Sequence, residues 1–468
     1  MNAAESLLLR RPAVRPPLDV PFSPIALGNR AYEQAVREAR ETDEVGFALE
    51  RNQGRVSVRR MRILRHGHEE ETLRYLERTV KFLLWQIGGW KLTLAAPSSI
   101  ASALAGIYSQ SGARSFDTHL MAQAYGRPFE VHLTSLDRLP VALESGTPLG
   151  GHLDGCRIGF DLGASDYKLS AVQEGKAVFT TEIPWDPRVQ PDPEWHFQKI
   201  QEGLRQAASH LPRVDAIGGS SAGIILDNEV RVASLFRSVP PDLFQQKART
   251  LFHRLRAEWG VPLEVANDGD VTALAGGMSL GVKAILGIAM GSSLAAGWLD
   301  SEGRIGGWLN ELAFAPVDYH PSAPADEWSG DLGCGVQYFS QQAVVRLSAA
   351  AGIPLPAGHP AEQLKHVQEL QKQGDPRPGR IFETIGVCFG YAVAQYASYY
   401  DNLQHVLALG RVTSGEGGDQ ILAKAREVLR TEFPELASRI TLHLPDEKSK
   451  RHGQAVAAAS LPTRAPAR

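Results

Sequence analysis

The sequence predicts an α/β protein made of several units. Its 468 residues are enough for about two to four domains of ordinary size. Residues 25–135 predict a hairpin, a helix, a strand and a second helix, which together form a mixed α/β unit. Beyond residue 150, four apolar strands each end in a turn or loop of small residues, and this repetition indicates two similar lobes.

The composition is that of an ordinary globular protein, with 43% hydrophobic and 22% charged residues. The 49 Lys and Arg residues nearly balance the 52 Asp and Glu residues, so the overall charge favours neither nucleic acid nor a membrane, and we expect a small-molecule partner. The three widely spaced cysteines suggest neither a disulfide framework nor a metal pair, which fits the cytoplasm. No apolar run reaches the ~18 residues of a membrane span.

The first third of the chain has its own pattern. Residues 1–24 are rich in Pro and Arg and predict a mobile or loosely docked arm. Alternating apolar residues around Asn52-Gln53-Gly54 predict a β-hairpin over 45–64. Apolar residues then recur at helical spacing at Leu73, Leu76, Val80 and Leu83. A Pro- and Gly-containing segment, residues 136–155, marks the end of this unit.

Several side chains of this unit invite a functional interpretation. Arg114 and Asp117 could reach a ligand, but a surface ion pair is the commoner role of such residues and is what we expect. Trp85, Trp90 and Phe82 lie close to the amphipathic helix, so we expect them to pack against its inner face. The sequence therefore assigns no catalytic residue to the first 150 positions.

The stretch CRIGFDLGASDYKLSAV, residues 156–172, predicts two strands joined by a tight turn. A turn of small residues, here Gly163-Ala164-Ser165, directs backbone N–H groups toward one point and lets a phosphate approach. Asp161 beside this turn could hold Mg²⁺ through water. Taken alone, the stretch is also explained by a plain hairpin.

Three comparable blocks follow. Residues 216–236 and 285–307 each predict a strand, a small-residue turn and a returning strand. Residues 405–429 predict a strand whose Gly- and Ser-rich loop opens a helix, an arrangement suited to a nucleotide. The small residues of the last two blocks include Gly291, Ser292, Ser293, Gly410, Ser414 and Gly415.

Another stretch, EVANDGDVTALAGG, places Asn267 and Asp268 between an apolar strand and an Ala-rich helix. Short polar side chains followed by Gly are typical of turns, because these side chains bond to their own backbone and Gly adopts positive φ. On its own, this stretch is explained by turn chemistry. A catalytic carboxylate is the alternative interpretation, and it depends on the other blocks.

The order and spacing of these blocks resemble the ROK (repressor, open reading frame, kinase) family of sugar kinases, in the actin, hexokinase and Hsp70 ATPase superfamily. The resemblance covers residues 156 to about 460. The family's first phosphate loop, Asp-x-Gly-Gly-Thr-x-x-Lys, is matched by Asp161, Gly163, Ala164, Ser165 and Lys168. Its second phosphate loop is matched loosely by residues 291–295, its Asn-Asp pair by Asn267-Asp268, and its last helix by HGQAVAAASLP, residues 452–462.

The resemblance implies a two-lobed actin-like ATPase (ribonuclease H-like) fold with an extra N-terminal α/β unit. The implied domains are an N-terminal extension of unknown role (1–150), a first lobe (151–270), a second lobe with a returning C-terminal helix (271–460) and a tail (461–468). Closure of the two lobes on substrate and a homodimer are further expectations of the resemblance.

The resemblance also implies the chemistry. Asp268 would accept the proton of an attacking sugar hydroxyl, while Asn267 and Glu311 would bind the sugar. ATP and Mg²⁺ would be the cofactors, with Mg²⁺ near Asp161 through water. The implied phosphate-binding residues are Asp161, Gly163, Ala164, Ser165, Lys168, Gly291, Ser292, Ser293, Gly410, Ser414 and Gly415.

Several residues depart from the family pattern. Phe314 replaces a His that contacts the sugar and binds zinc, and Val336 replaces a sugar-binding Glu. Glu327 and Ser329 stand at two further zinc-ligand positions, so Cys334 is the one ligand retained. One thiolate cannot hold a tetrahedral Zn²⁺, and we expect no zinc site. The lost sugar ligands indicate an unusual acceptor or a loss of turnover.

Two functions remain in view. The first is an ATP- and Mg²⁺-dependent carbohydrate kinase. The second is a non-catalytic sensor of a sugar or nucleotide, without zinc. Regulators in the family carry an N-terminal helix-turn-helix, and the N-terminal unit shows no evident recognition helix, which argues against binding to DNA.

Overall fold

The computed structural model describes residues 6–144, 149–232, 234–445 and 453–464. The strands in these ranges form a four-stranded N-terminal sheet, a five-stranded sheet, a second four-stranded sheet and a two-stranded ribbon. The fold is therefore mixed α/β, as the sequence predicts. No helix in the described ranges combines the length and apolar character needed to cross a bilayer.

The N-terminal sheet has the order β2-β1-β3-β4. Its strands and helices are α1 (Ile25–Glu38), β1 (Thr42–Glu50), β2 (Val56–Leu64), α2 (Glu69–Gln86), β3 (Lys91–Ala95), α3 (Ser98–Ile107), α4 (Ser115–Tyr125) and β4 (Glu130–Leu133). The predicted hairpin is confirmed, since β1 pairs antiparallel with β2 from Thr42 opposite Leu64 to Glu50 opposite Val56. The helix predicted from apolar spacing is α2.

The five-stranded sheet has the order β11-β8-β5-β6-β7, and the ribbon pairs β9 with β10. The elements of this part are β5 (Cys156–Leu162), β6 (Asp166–Gln173), β7 (Lys176–Pro184), α5 (Pro193–Ala208), β8 (Ala216–Ser221), β9 (Ile224–Leu226), β10 (Glu229–Val232), α6 (Pro241–Leu243), α7 (Leu251–Trp259) and β11 (Leu263–Asn267). Every residue of β5 is buried, because β5 lies inside the sheet between β8 and β6. This sheet has its own apolar core.

The second four-stranded sheet has the order β13-β12-β14-β15. Its part of the chain contains α8 (Asp268–Leu280), β12 (Ile285–Met290), β13 (Leu294–Leu299), α9 (Gln341–Ala350), α10 (Pro360–Lys372), α11 (Arg377–Tyr396), β14 (His405–Leu409), α12 (Glu416–Glu432), α13 (Pro434–Arg439), β15 (Thr441–His443) and α14 (Gly453–Ala459). One apolar core cluster joins this sheet to the N-terminal unit, with Leu76 and Trp85 on one side and Leu286 and Tyr396 on the other.

The C-terminal helix α14 packs directly on the five-stranded sheet. A Cβ atom at Gly159 of β5 would collide with the carbonyl oxygen of Ala455, and one at Gly218 of β8 would collide with that of Ala458. Helix and sheet can approach this closely because both strands present glycine at the contact. His452, the first residue of the predicted closing motif, lies outside the described residues.

Residues 6–24 correct the prediction of a mobile or loosely docked arm. Leu8 and Phe22 are only 1% and 2% exposed, and the Ser6 hydroxyl donates to Glu71 Oε1 at 2.7 Å. Phe22 packs on Tyr338, with ring centroids 5.6 Å apart. The Pro-rich composition misled the prediction, because the partners of these residues, such as Glu71 on α2 and Tyr338, lie far along the chain.

Candidate active site

The predicted hairpin of residues 156–172 is formed by β5 and β6, and it presents Asp161 next to Lys168. Asp161 is buried, and its Oδ1 accepts a hydrogen bond of 2.7 Å from the hydroxyl of Ser220 on β8. Lys168 Nζ lies 3.7 Å from Asp161 Oδ2 and 3.1 Å from Asp166 Oδ1. Burial raises the pKa of Asp161, and the Ser220 hydrogen bond and Lys168 oppose this rise only partly.

The tip of this hairpin offers fewer backbone donors than its sequence suggests. The amide of Gly163 donates to the carbonyl oxygen of Asp166 at 3.0 Å, so it is already used within the turn. Ser165 is exposed, and its hydroxyl donates to Asp166 Oδ2. Ala164 and Ser165 therefore supply the amides of this tip that remain for a phosphate.

Asn267 and Asp268 lie at the junction of β11 and α8, as the sequence predicts. Asn267 is the N-cap of α8, and its Oδ1 accepts the Gly269 amide at 2.7 Å. Its Nδ2 donates to the carbonyl oxygen of Gly223 at 2.7 Å. Two polar contacts of Asn267 thus hold the junction, and one N–H and one lone pair remain for a ligand. The Thr272 hydroxyl donates to the Asp268 carbonyl oxygen at 2.6 Å.

Asp268 belongs to a group of four acidic residues with raised pKa values. Burial, followed by the negative charge of Asp161, raises the pKa of Asp268 to about 7. Burial also raises the pKa of Asp270 to about 7, although Asn310 donates to its Oδ1 at 3.0 Å. The pKa of Glu311 rises to about 8 through burial and the charges of Asp268 and Asp270. Burial is the largest cause of each shift and the neighbouring carboxylates add to it, a combination that is typical of functional carboxylates.

The C-terminal helix α14 contacts both the end of β8 and the start of α8. Gln454 Nε2 donates to Ser220 Oγ at 3.2 Å and to the Asp268 carbonyl oxygen at 3.1 Å. Sequence reasoning gave no role to Ser220, Asp270 or Gln454. Asp270 lies in the same polar stretch as Asp268, and Gln454 lies in the quoted closing motif, but their partners come from distant parts of the chain.

A cavity of about 850 Å³ lies between α8 and the loop that opens α12. Gly410, Ser414 and Gly415 line it, as does Gln454. Gly410 has φ of 101°, a conformation that disfavours side chains, and a Cβ atom there would lie 2.5 Å from the Met290 carbonyl oxygen. The loop therefore packs against the end of β12, where the chain continues into Gly291. The volume is sufficient for a nucleotide-sized ligand.

The second predicted phosphate turn joins β12 to β13. Gly291 donates its amide to the Ser293 carbonyl oxygen at 2.9 Å, while Ser292 and Ser293 are exposed. A Cβ atom at Gly410 would meet Met290, the residue that precedes this turn, but residues 291–293 are not among those that line the cavity. The phosphate-binding roles of these residues stay predictions.

The residues at the positions where the ROK pattern has zinc ligands do not suit a metal ion. Burial raises the pKa of the Cys334 thiol to about 12, and Sγ lies 3.7 Å from Asp331 Oδ2. The Phe314 ring packs against the Trp85 ring in a tilted arrangement, with the centroids 4.3 Å apart. Ser329 donates to Asp326. Among the described residues, no three side chains of His, Cys, Asp or Glu form a group that could hold a metal.

The prediction that Arg114 and Asp117 form a surface ion pair is wrong. Asp117 is buried, and only 10% of the Arg114 side chain is exposed. The two have separate partners: Lys81 Nζ lies 2.9 Å from Asp117 Oδ1, and Arg114 pairs with Glu77 and with Asp331. Trp85 and Phe82 are fully buried, as expected. The local sequence did not reveal these pairs, because Asp331 is far away along the chain.

No family model matches the sequence, and no curated protein matches it. Solved structures do match the fold. The ROK hexokinase from Thermus thermophilus is 18% identical, with a TM-score of 0.51, over 65% of this chain and 98% of that chain. A ROK family transcriptional regulator, a homologue of the E. coli MLC protein, is 19% identical, with a TM-score of 0.51, over 78% of this chain and 88% of that chain. About two thirds of the chain or more therefore shares the two-lobed, actin-like α/β fold of these ROK proteins.

Proposed function

We propose that this protein is a kinase of the ROK type that transfers the γ-phosphoryl group of ATP to a hydroxyl of a sugar or sugar derivative. The observation that carries this proposal is the placement of Asp268. Its carboxylate lies within electrostatic reach of Asp161, in the first phosphate hairpin, and of Glu311. Gln454 bonds to its backbone and also lines the nucleotide-sized cavity.

Asp268 would act as the base. The acceptor hydroxyl loses its proton to the Asp268 carboxylate, its oxygen bonds to the γ-phosphorus, and the bond from that phosphorus to the leaving ADP oxygen breaks. A pKa of about 7 suits this role better than the ordinary value, because proton transfer is most effective when the pKa of the base lies near the working pH. Glu311 and Asn267 would orient the acceptor.

Asp161 would also suit a magnesium ion that is held through water rather than by a cluster of carboxylates. The neighbouring Asp268 adds negative charge that a cation would neutralise. When bound, Mg²⁺ would neutralise the negative charge that develops on the phosphates. Gly410, Ser414 and Gly415 would contact the nucleotide. The amides of Ala164 and Ser165 would contact its phosphates.

The experiment is ATP consumption with Mg²⁺ against a panel of hexoses, amino sugars, pentoses and polyols, for the native chain and for Asp268→Asn. Asp137→Asn is a matched control, because Asp137 is exposed and distant in sequence from every proposed site residue. We expect turnover of one acceptor class, unchanged in the control and reduced about 10²-fold to 10⁴-fold in Asp268→Asn. Equal turnover in all three proteins contradicts the assignment of Asp268.

A ligand sensor is the second candidate, and one observation favours it. Two positions where the resemblance places polar sugar ligands hold apolar residues: Phe314 packs against Trp85, and Val336 is buried. If no acceptor supports turnover while sugars or nucleotides still raise the Tm, the sensor becomes the better proposal. The similarity of the fold to a ROK transcriptional regulator is consistent with this outcome.

A further inference from the structure

The C-terminal end of α2 holds the segment that contains Glu311. The amides of Leu309, Asn310 and Glu311 donate in turn to the carbonyl oxygens of Ile87, Gln86 and Trp85, at 3.3, 2.9 and 2.8 Å. The last carbonyl groups of a helix lack partners within the helix, so these three bonds satisfy groups that otherwise need water. The backbone position of Glu311 is thus set by the N-terminal unit.

One turn earlier, α2 contributes to a buried charged group, here called the Asp331 cluster. It contains three cationic and three acidic side chains, namely Arg78, Lys81, Arg114, Glu77, Asp117 and Asp331. Asp331 is its centre, with oxygens 2.5 Å from Arg78, 3.2 Å from Lys81 and 2.7 Å from Arg114. Burial alone would raise the pKa of Asp331, but Lys81, Arg78 and Arg114 lower it far below the ordinary range.

The Asp331 cluster occupies the segment that resembles the zinc motif of ROK kinases. Asp331 lies three residues before Cys334, which is the one residue of the zinc motif that this chain retains. Oδ2 of Asp331 contacts the Cys334 thiol. Phe314, at the position of the zinc-binding His, packs its ring in tilted contacts against Trp85 and Phe116 of the N-terminal unit. Trp85 in turn donates from Nε1 to Asp117 Oδ1 at 2.9 Å. The connections that a metal would provide are here made by side chains of α2 and α4.

We infer that the N-terminal unit is the positioning element for Glu311, and that α2, fixed by the Asp331 cluster, takes the structural place of zinc. Asp331 and Arg78 are therefore positioning residues that act through α2 and the segment 309–314. The effect on acceptor binding rests on the proposed function. The claim that α2 and the Asp331 cluster hold the segment 309–314 does not.

The structural part is tested by hydrogen exchange on the full chain. Asp331→Asn is compared with Asp19→Asn, a matched control in which another buried carboxylate loses its charge beside an arginine, Arg346, at 2.9 Å. We expect faster amide exchange over 309–314 in Asp331→Asn alone. Equal exchange of this segment in the two variants overturns the inference, whether or not the protein is a kinase.

The kinetic part uses the same pair of variants. We expect the KM for the acceptor to rise about tenfold or more in Asp331→Asn, with the KM for ATP unchanged, because displacement of Glu311 weakens acceptor binding. Asp19→Asn should change neither KM. If amide exchange over 309–314 is faster in Asp331→Asn alone but the native chain shows no turnover, the positioning role is upheld and the kinase proposal is rejected. If the native chain turns over and Asp331→Asn has an unchanged KM for the acceptor, the positioning role is rejected.

Two further measurements keep the inference testable. If Asp331→Asn does not fold, Arg78→Lys keeps the charge but loses the two-point contact with Asp331, and the same comparisons apply. Treatment of the native protein with a zinc chelator should leave both the Tm and the exchange of residues 309–314 unchanged. A chelator-induced loss of protection in that segment would show that a metal, and not the cluster, holds it.

Discussion

Gln454 on α14 donates to the carbonyl oxygen of Asp268 at 3.1 Å, so the C-terminal helix contacts the first residue of α8. The same Nε2 donates to Ser220, which in turn bonds Asp161. One side chain therefore links the proposed base to the β5–β6 hairpin that holds Asp161. Neither partner of Gln454 is near it in sequence.

Gln454→Met should reduce turnover more than stability. Methionine has a similar length but cannot donate, so two neutral hydrogen bonds are lost, each worth about 0.5 to 1.5 kcal/mol. We expect kcat to fall about tenfold, because a small displacement of Asp268 weakens its alignment with the acceptor. Gln206→Met, at an exposed position on α5, is the control. Equal kcat values in the two variants would show that Gln454 has no part in alignment.

The activity should depend on pH near neutrality. The pKa of Asp268 is raised to about 7, and a base acts only when it is deprotonated. We expect kcat/KM to rise between pH 6 and 8 with an apparent pKa near 7, which belongs to the coupled carboxylates and not to Asp268 alone. A rate profile that is flat from pH 5.5 to 8 would contradict the role of Asp268 as the titrating base.

Asp268→Asn should stabilise the protein at alkaline pH. The folded-state pKa of about 7 exceeds the ordinary value of 3.8, so native Asp268 contributes stability below pH 3.8 that is lost as the pH rises through 7. Asparagine carries no charge and can still accept the Gly269 amide. We expect Asp268→Asn to raise the Tm above that of the native chain by more at pH 8.5 than at pH 5. The Asp137→Asn control should show no such increase.

The cavity beside α8 should determine nucleotide affinity. Ala275 lines it, and Ala275→Trp would fill part of its volume of about 850 Å³. We expect the KM for ATP to rise about tenfold or more, since overpacking costs about 1 to 3 kcal/mol, while the KM for the acceptor stays unchanged. Ser209→Trp, at an exposed position after α5, is the control. A rise in the acceptor KM alone would place the nucleotide elsewhere.

The sequence was sufficient for features that depend on neighbouring residues. The hairpins follow from alternating residues and small-residue turns, and the structure confirms them. The junction of strand and helix at Asn267-Asp268 is also confirmed, but Asn267 caps the helix and Gly269 lies within it, where turn chemistry had predicted a Gly of positive φ. Features that depend on distant partners were missed or misjudged. Leu8 is buried by residues far along the chain, and the bond from Glu311 to Trp85 spans more than 200 residues.

Lys81→Met should be strongly destabilising, because the predicted surface ion pair is in fact a buried cluster. Lys81 has no exposed surface and neutralises both Asp117 and Asp331. Breaking a buried pair leaves an uncompensated charge and costs about 3 to 5 kcal/mol. The measurement is the free energy of unfolding from urea titration.

The matched control is Arg254→Met, which removes the partly exposed contact of Arg254 with Glu194 at 3.1 Å. Exposed pairs contribute about 1 kcal/mol or less, because water and salt screen them and both side chains lose conformational entropy. We therefore expect Lys81→Met to cost several times more than Arg254→Met. Similar costs for the two variants would mean that water reaches the Asp331 cluster, and that Arg114 and Asp117 behave as the surface residues that their local sequence suggests.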